Sequence, residues 1–144
     1  MANLTRIDVT IQTGDRAGAG TDGTVYLGIA GREFHCDSTA NDFERGSSRT
    51  YTFGDGSNVR NGNRNDPRTP QLTVEAVDRF PVYIRFEQGV ASEWNLDRAT
   101  VHLNGSSFQQ YETFVHLDGG LWLGRDAGAF LYLEKHHDAS ISSS

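Results

Sequence analysis

Residues 13–29 read TGDRAGAGTDGTVYLGI, an acidic, glycine-rich loop running straight into a strand. Gly14, Gly18, Gly20 and Gly23 permit tight turning, while Asp15, Asp22 and Thr21 supply oxygen donors. A loop of this composition can cradle a hard cation with backbone and side-chain oxygens. Loops rich in glycine and aspartate are more often plain connections, so this one needs support from elsewhere in the chain. Immediately after it, Val25, Leu27 and Ile29 alternate with Tyr26 and Gly28, the two-residue period of a strand with one buried face.

Working outward, the same alternation recurs. Ile7, Val9 and Ile11 precede the loop, and Phe34 and Cys36 follow it. Tyr51 and Phe53 mark another strand, as do Leu72, Val74 and Ala76, then Val82, Ile84 and Phe86 after Pro81. Trp94 and Leu96 lead into Val101 and Leu103, and Asn104-Gly105 is a strong turn signal. From Phe108 onward short apolar pieces holding Phe114, Leu117, Trp122, Leu123 and Phe130 are broken by glycine. Both tryptophans are expected in the core. No segment shows a helical period. Eight or nine short strands with regular turns predict an all-β antiparallel sandwich.

Residues 54–70, GDGSNVRNGNRNDPRTP, hold one aliphatic side chain and are long for a connection in a compact domain. Their acids do not fit EF-hand spacing, because Val59 and Arg60 occupy positions that need a ligand and a glycine. A solvated insertion is the simpler expectation, a partner-binding one the alternative. Residues 1–135 are expected to form one domain, and residues 136–144, with His136 and His137, a polar disordered tail.

Bulk properties narrow the function. A net charge of -6 argues against a nucleic-acid binder and against unaided adhesion to anionic membranes. Cys36 is the only cysteine, so an intrachain disulfide is excluded. No apolar run approaches a membrane span, and the MANLTRIDV start lacks a secretory pattern. Localisation therefore stays open, with secretion or surface display possible if a leader has been removed. No G-x-S-x-G or HExxH motif occurs.

Three polar loops carry the acids of interest: Asp22 in the first, Asn41, Asp42 and Glu44 in NDFERG, and Glu93 before Trp94. In an extended run Asp42 and Glu44 would point to the same side. Acids gathered at one end of a sandwich repel unless a cation neutralises them, and irregular all-oxygen ligation suits calcium. The competing reading is that each is a solvated surface charge.

GAGTDGTVYLGIAG, NDFERGSSRTYTF and SEWNLDRATV, taken in that order, resemble the PLAT domain of polycystins, lipoxygenases and bacterial alpha-toxin. The resemblance covers roughly residues 4–103. It implies two four-stranded antiparallel sheets with calcium at the loop end, held by Gly18, Gly20, Asp22, Asn41, Asp42, Glu44 and Glu93. Glu93 stands where relatives often carry Asp. It also implies docking onto a lipid surface or a protein partner. The positions expected to make that contact are Ala17, Phe43 and Val90, with Ala and Gly where exposed aromatics would strengthen insertion. Asp97 and Arg98 are expected to brace a loop. The expected function is a non-catalytic, calcium-dependent association module. The alternatives are a calcium-independent interaction or stress-associated sandwich and a C2-like domain, with an Asp42–Glu44 acid–base pair the weakest.

Overall fold

Ile7, Val9 and Ile11 of the first strand, β1 (Arg6–Thr13), are buried while Arg6, Asp8 and Thr10 between them are not. That alternation fixes one face of a sheet inward, and it repeats through the chain. The computed structural model describes residues 2–108, 110–113, 120–126 and 128–135. Further strands are β2 (Thr24–Ile29), β3 (Arg32–His35), β4 (Ser48–Gly54), β5 (Tyr83–Glu87) and β6 (Trp94–Leu103). Short pieces follow as β7 (Tyr111–Glu112), β8 (Leu121–Leu123), β9 (Phe130–Tyr132) and β10 (Glu134–Lys135). The polar tail lies outside the described residues.

Two antiparallel sheets face each other. One runs β10-β7-β6-β1-β4 with β8 also paired to β6, and the other runs β3-β2-β5-β9. The expected sandwich is therefore present, with six and four strands among the described residues instead of four and four. The surplus comes from β8 and β10, pieces of three and two residues that lengthen the first sheet. Tyr51, Phe53, Phe34, Phe86 and Trp94 are the largest fully enclosed side chains between the sheets.

One expected strand is a helix. Residues 74–79, read as alternating Val74 and Ala76, form α1 (Val74–Arg79). Thr73 caps it, its hydroxyl accepting from the Ala76 amide at 3.3 Å. Glu75 in the first turn and Arg79 in the last complement the helix dipole. Local capping outweighed a three-residue alternation. The Asn104-Gly105 turn forms as expected, both residues at positive φ (52° and 72°). The Asn104 carboxamide then accepts from the Thr5 amide at 2.8 Å, tying the turn to the N-terminal segment.

The insertion after β4 is tied down. Asn58 offers its carboxamide to the outer edge of β4, accepting from the Thr52 amide and donating to the Thr50 carbonyl, both at 2.8 Å. Buried Asn65 does likewise for β3, accepting from the His35 amide at 2.9 Å. Arg32 donates to the Asp66 carbonyl at 2.9 Å and to the Arg64 carbonyl at 3.3 Å. Since β4 and β3 are edge strands of the two sheets, this segment covers two edges that would otherwise invite pairing with another chain.

Asn58→Ala should lower stability by about 1 kcal/mol, the ordinary net value of a lost hydrogen-bonding pair. Urea unfolding should show a lower midpoint at unchanged slope. Asn63→Ala, in the same segment but without these bonds, should shift it little.

Candidate functional site at the loop end

Three loops meet where β6 begins, and backbone hydrogen bonds lace them together. Asn95 grips both ends of the first turn: its carbonyl accepts from Gly14 at 2.9 Å and its amide donates to Ala19 at 3.0 Å. The Thr21 amide donates to the Phe43 carbonyl at 3.1 Å, and the Gly46 amide to the Gly14 carbonyl at 3.0 Å. The third loop is joined by the Thr21 hydroxyl donating to Ser92 O at 2.7 Å and the Ser92 hydroxyl donating to Gly20 O at 2.9 Å. Beneath them the Trp94 indole N–H donates to the Thr13 hydroxyl at 2.9 Å. Asn95, wholly buried, is missing from the sequence reading, where nothing distinguished it from a surface amide.

The acids divide. The Asp42 side chain is only 9% exposed and turned into the protein. Its Oδ1 accepts from the Ser38 hydroxyl at 2.6 Å and the Tyr51 hydroxyl at 2.9 Å, and its Oδ2 from the Ser38 amide at 2.8 Å. Arg49 Nε stands 3.4 Å from the same carboxylate. Burial pushes the Asp42 carboxyl up, but the bonds from Ser38 and Tyr51 outweigh it and hold the group below its ordinary value. Asp42 anchors its own loop.

Glu44, two residues on, faces the other way. It lines a cleft of about 470 Å³ with Gly18, Gly20, Asp22, Val90 and Ser92. An adjoining cleft of about 300 Å³ is lined by Asp22, Asp37, Asn41 and Asp42. Asp22 stands on the wall between them. Of the expected ligands, Gly18, Gly20, Asp22 and Glu44 thus share one cleft, with Asn41 and Asp42 in its neighbour. Glu93 lines neither. Its stem packs over Gly124, where an added Cβ would stand 2.7 Å from Glu93 Cγ.

One of the three contact positions, Phe43, lies elsewhere than expected. Phe43 is 5% exposed, stacked on Tyr51 at 5.5 Å and edge-on to Trp94 at 5.3 Å, so it is core and not a docking tip. Trp122, expected in the core, is 37% exposed on β8 and lies against the first loop, 4.0 Å from where a Gly18 Cβ would be. Ala17 is exposed, and Val90 stands fully out at the tip of its loop. Trp94 is core as expected. Asp97 and Arg98 form no ion pair among the described residues.

The donor set fits calcium chemistry in kind. Asp22 and Glu44 are exposed carboxylates without an ion-pair partner among the described residues, and Arg45 beside them is engaged by Asp15 at 3.0 Å. Gly18 (φ 76°) takes a backbone form closed to most residues, and a Cβ on Gly20 would stand 2.9 Å from the Arg45 amide. Among the described residues no three His, Cys, Asp or Glu side chains converge. An ion here would draw on two carboxylates, backbone carbonyls and water, a set calcium tolerates and zinc does not.

Residues 7–116 match the model of the PLAT/LH2 domain, and the chain belongs to that family. Among solved structures, the alpha-toxin of Clostridium absonum superposes with TM-score 0.65 at 25% identity, over 92% of this chain and 32% of the toxin. The Clostridium perfringens alpha-toxin gives 0.63 at 23% identity over the same shares. Coral 8R-lipoxygenase, described as calcium-activated through a C2-like domain, gives 0.57 at 20% over 92% of this chain and 17% of the enzyme. This chain thus spans a third or less of each of these three proteins. No curated protein sequence matches.

Asp42→Ala should cost about 2–3 kcal/mol in chelator, since Ser38 and Tyr51 lose a charged, largely buried acceptor. The folded-state pKa of Asp42 lies below the unfolded value, so its contribution is complete above the unfolded value of about 4 and fades as pH falls through the folded one. Acid unfolding of Asp42→Asn should therefore be shallower below about pH 4 than that of the parent.

Proposed function

We propose that this PLAT domain is a non-catalytic module that takes calcium between Asp22 and Glu44 and then docks its loop end onto a lipid surface. The observation that carries the reading is the shared cleft: the exposed carboxylates of Asp22 and Glu44 line it together with Gly18, Gly20 and Arg45, whose guanidinium is engaged by Asp15. Calcium would neutralise those carboxylates and present a cation to lipid phosphates, which offsets the domain's negative charge locally. Val90 at the tip and Trp122 beside the first loop flank the cleft, and a tryptophan with one wet edge suits the lipid interface. With two carboxylates the site is weak, in the range of extracellular modules, which favours a calcium-rich compartment.

A second reading rests on the outer face of the smaller sheet. Phe130 (51% exposed) and Tyr132 (62%) flank the Tyr83 ring at 5.5 and 6.0 Å. An aromatic face of this kind is suited to a protein partner.

Millimolar calcium should raise the thermal midpoint of the parent by several degrees over chelator, and magnesium should not. Asp22→Ala should abolish that rise while leaving the chelator midpoint nearly unchanged. An unaltered calcium response in Asp22→Ala would refute the site. In calcium, the parent should sediment with vesicles of mixed phosphatidylcholine and phosphatidylserine, and Trp122→Ala should reduce the bound fraction several-fold. Thermal stabilisation by calcium without any sedimentation would favour the protein-partner reading.

A further inference from the structure

Phe43 stands between Asp42 and Glu44 with φ at 60°. A bulky aromatic side chain takes this left-handed form only where its surroundings over-determine it. Those surroundings are specific. The ring fills the space between Tyr51 (interplanar angle 26°) and Trp94 (64°) under the loop end. Its carbonyl accepts from Thr21, the residue beside Asp22. The absence of a side chain on Gly20 allows that approach, since a Cβ there would stand 3.2 Å from the Phe43 oxygen.

The geometric result is the division of the acids. An uninterrupted extended run would send Asp42 and Glu44 to one side. Across the left-handed residue they diverge, Asp42 going inward to Ser38 and Tyr51 and Glu44 to the cleft wall with Asp22.

We propose that Phe43 is a positioning residue for the calcium site: its buried ring holds the backbone turn that presents Glu44 to Asp22. This inference rests on the calcium reading above. Ring packing and ion binding are then coupled through one short segment, and loosening the ring lowers affinity without touching a ligand. The same coupling runs in reverse, so calcium tightens the contact between Phe43 and Trp94.

Phe43→Leu keeps an apolar group in the slot but loses both ring contacts, whereas Phe43→Tyr keeps the ring. Val101→Ala removes buried core from the far part of β6 and serves as a control for general destabilisation. Calcium titration calorimetry is run on all four proteins, with near-ultraviolet circular dichroism in chelator confirming that each is folded. Phe43→Leu should bind about tenfold more weakly than the parent, within the usual range for coupled sites. Phe43→Tyr and Val101→Ala should match the parent. Parent-like affinity in Phe43→Leu, or an equal loss in Val101→Ala, would overturn the positioning role while leaving the calcium reading intact. A parent that does not respond to calcium, with Asp22→Ala identical to it, would overturn both. If Phe43→Leu does not fold, Tyr51→Phe, which keeps the stacked ring but removes one of the bonds to Asp42, should bind like the parent; weakened binding there would show that the anchoring of Asp42, not the ring, sets the site.

Discussion

The indole of Trp94 is the joint on which the loop end depends. It is wholly buried, packs against Phe43 and Phe86, and donates to Thr13, so one side chain touches all three sequence regions that build the site. The next residue, Asn95, holds the first loop by both ends through its backbone. The two neighbours divide the labour. Trp94 supplies apolar burial and one satisfied donor inside the sandwich, and Asn95 converts the end of β6 into a clamp for a loop with little apolar content of its own. A glycine-rich loop loses much backbone entropy on ordering, and fixed partners on an adjoining strand offset that loss.

Much of the fold could be read from alternation, because β1, β5 and the first half of β2 bury every second residue and a two-residue period records that directly, while the second half of β4 and the end of β2 are buried on both faces. The errors fell where a local rule competed with periodicity. Thr73, Glu75 and Arg79 are helix-terminal chemistry lying inside a stretch too short for a helical period to show. Trp122 looked like core because its neighbours are apolar, yet β8 is a three-residue strand whose outer side stays partly wet. The three strand-and-loop motifs come together at one end of the sandwich. They could not say which acid faces solvent, because the chain between Asp42 and Glu44 passes through a left-handed residue, Phe43, instead of running extended. Sequence spacing assumes a regular backbone, and the site is built where the backbone is irregular.

The separation of the acids also divides their electrostatic roles. Asp42 keeps its charge by internal hydrogen bonds and contributes to stability, whereas Asp22 and Glu44 stay in water where charge is inexpensive. The charge that ties this end together is thus internal, and the charge at its rim is left to solvent. Glu93, with its stem over Gly124, belongs to neither group.

The asparagines of the long insertion give the sandwich a handed exterior. With Asn58 and Asn65 occupying the backbone edges of β4 and β3, that flank is closed to strand addition, while β9 and β10 bound the sheets on the opposite flank among the described residues. A neighbouring copy therefore cannot continue either sheet past β4 or β3 by strand pairing. Each unit carries its own terminator on that flank, so a sheet joined to that of a second copy through the described edges could not propagate beyond the pair.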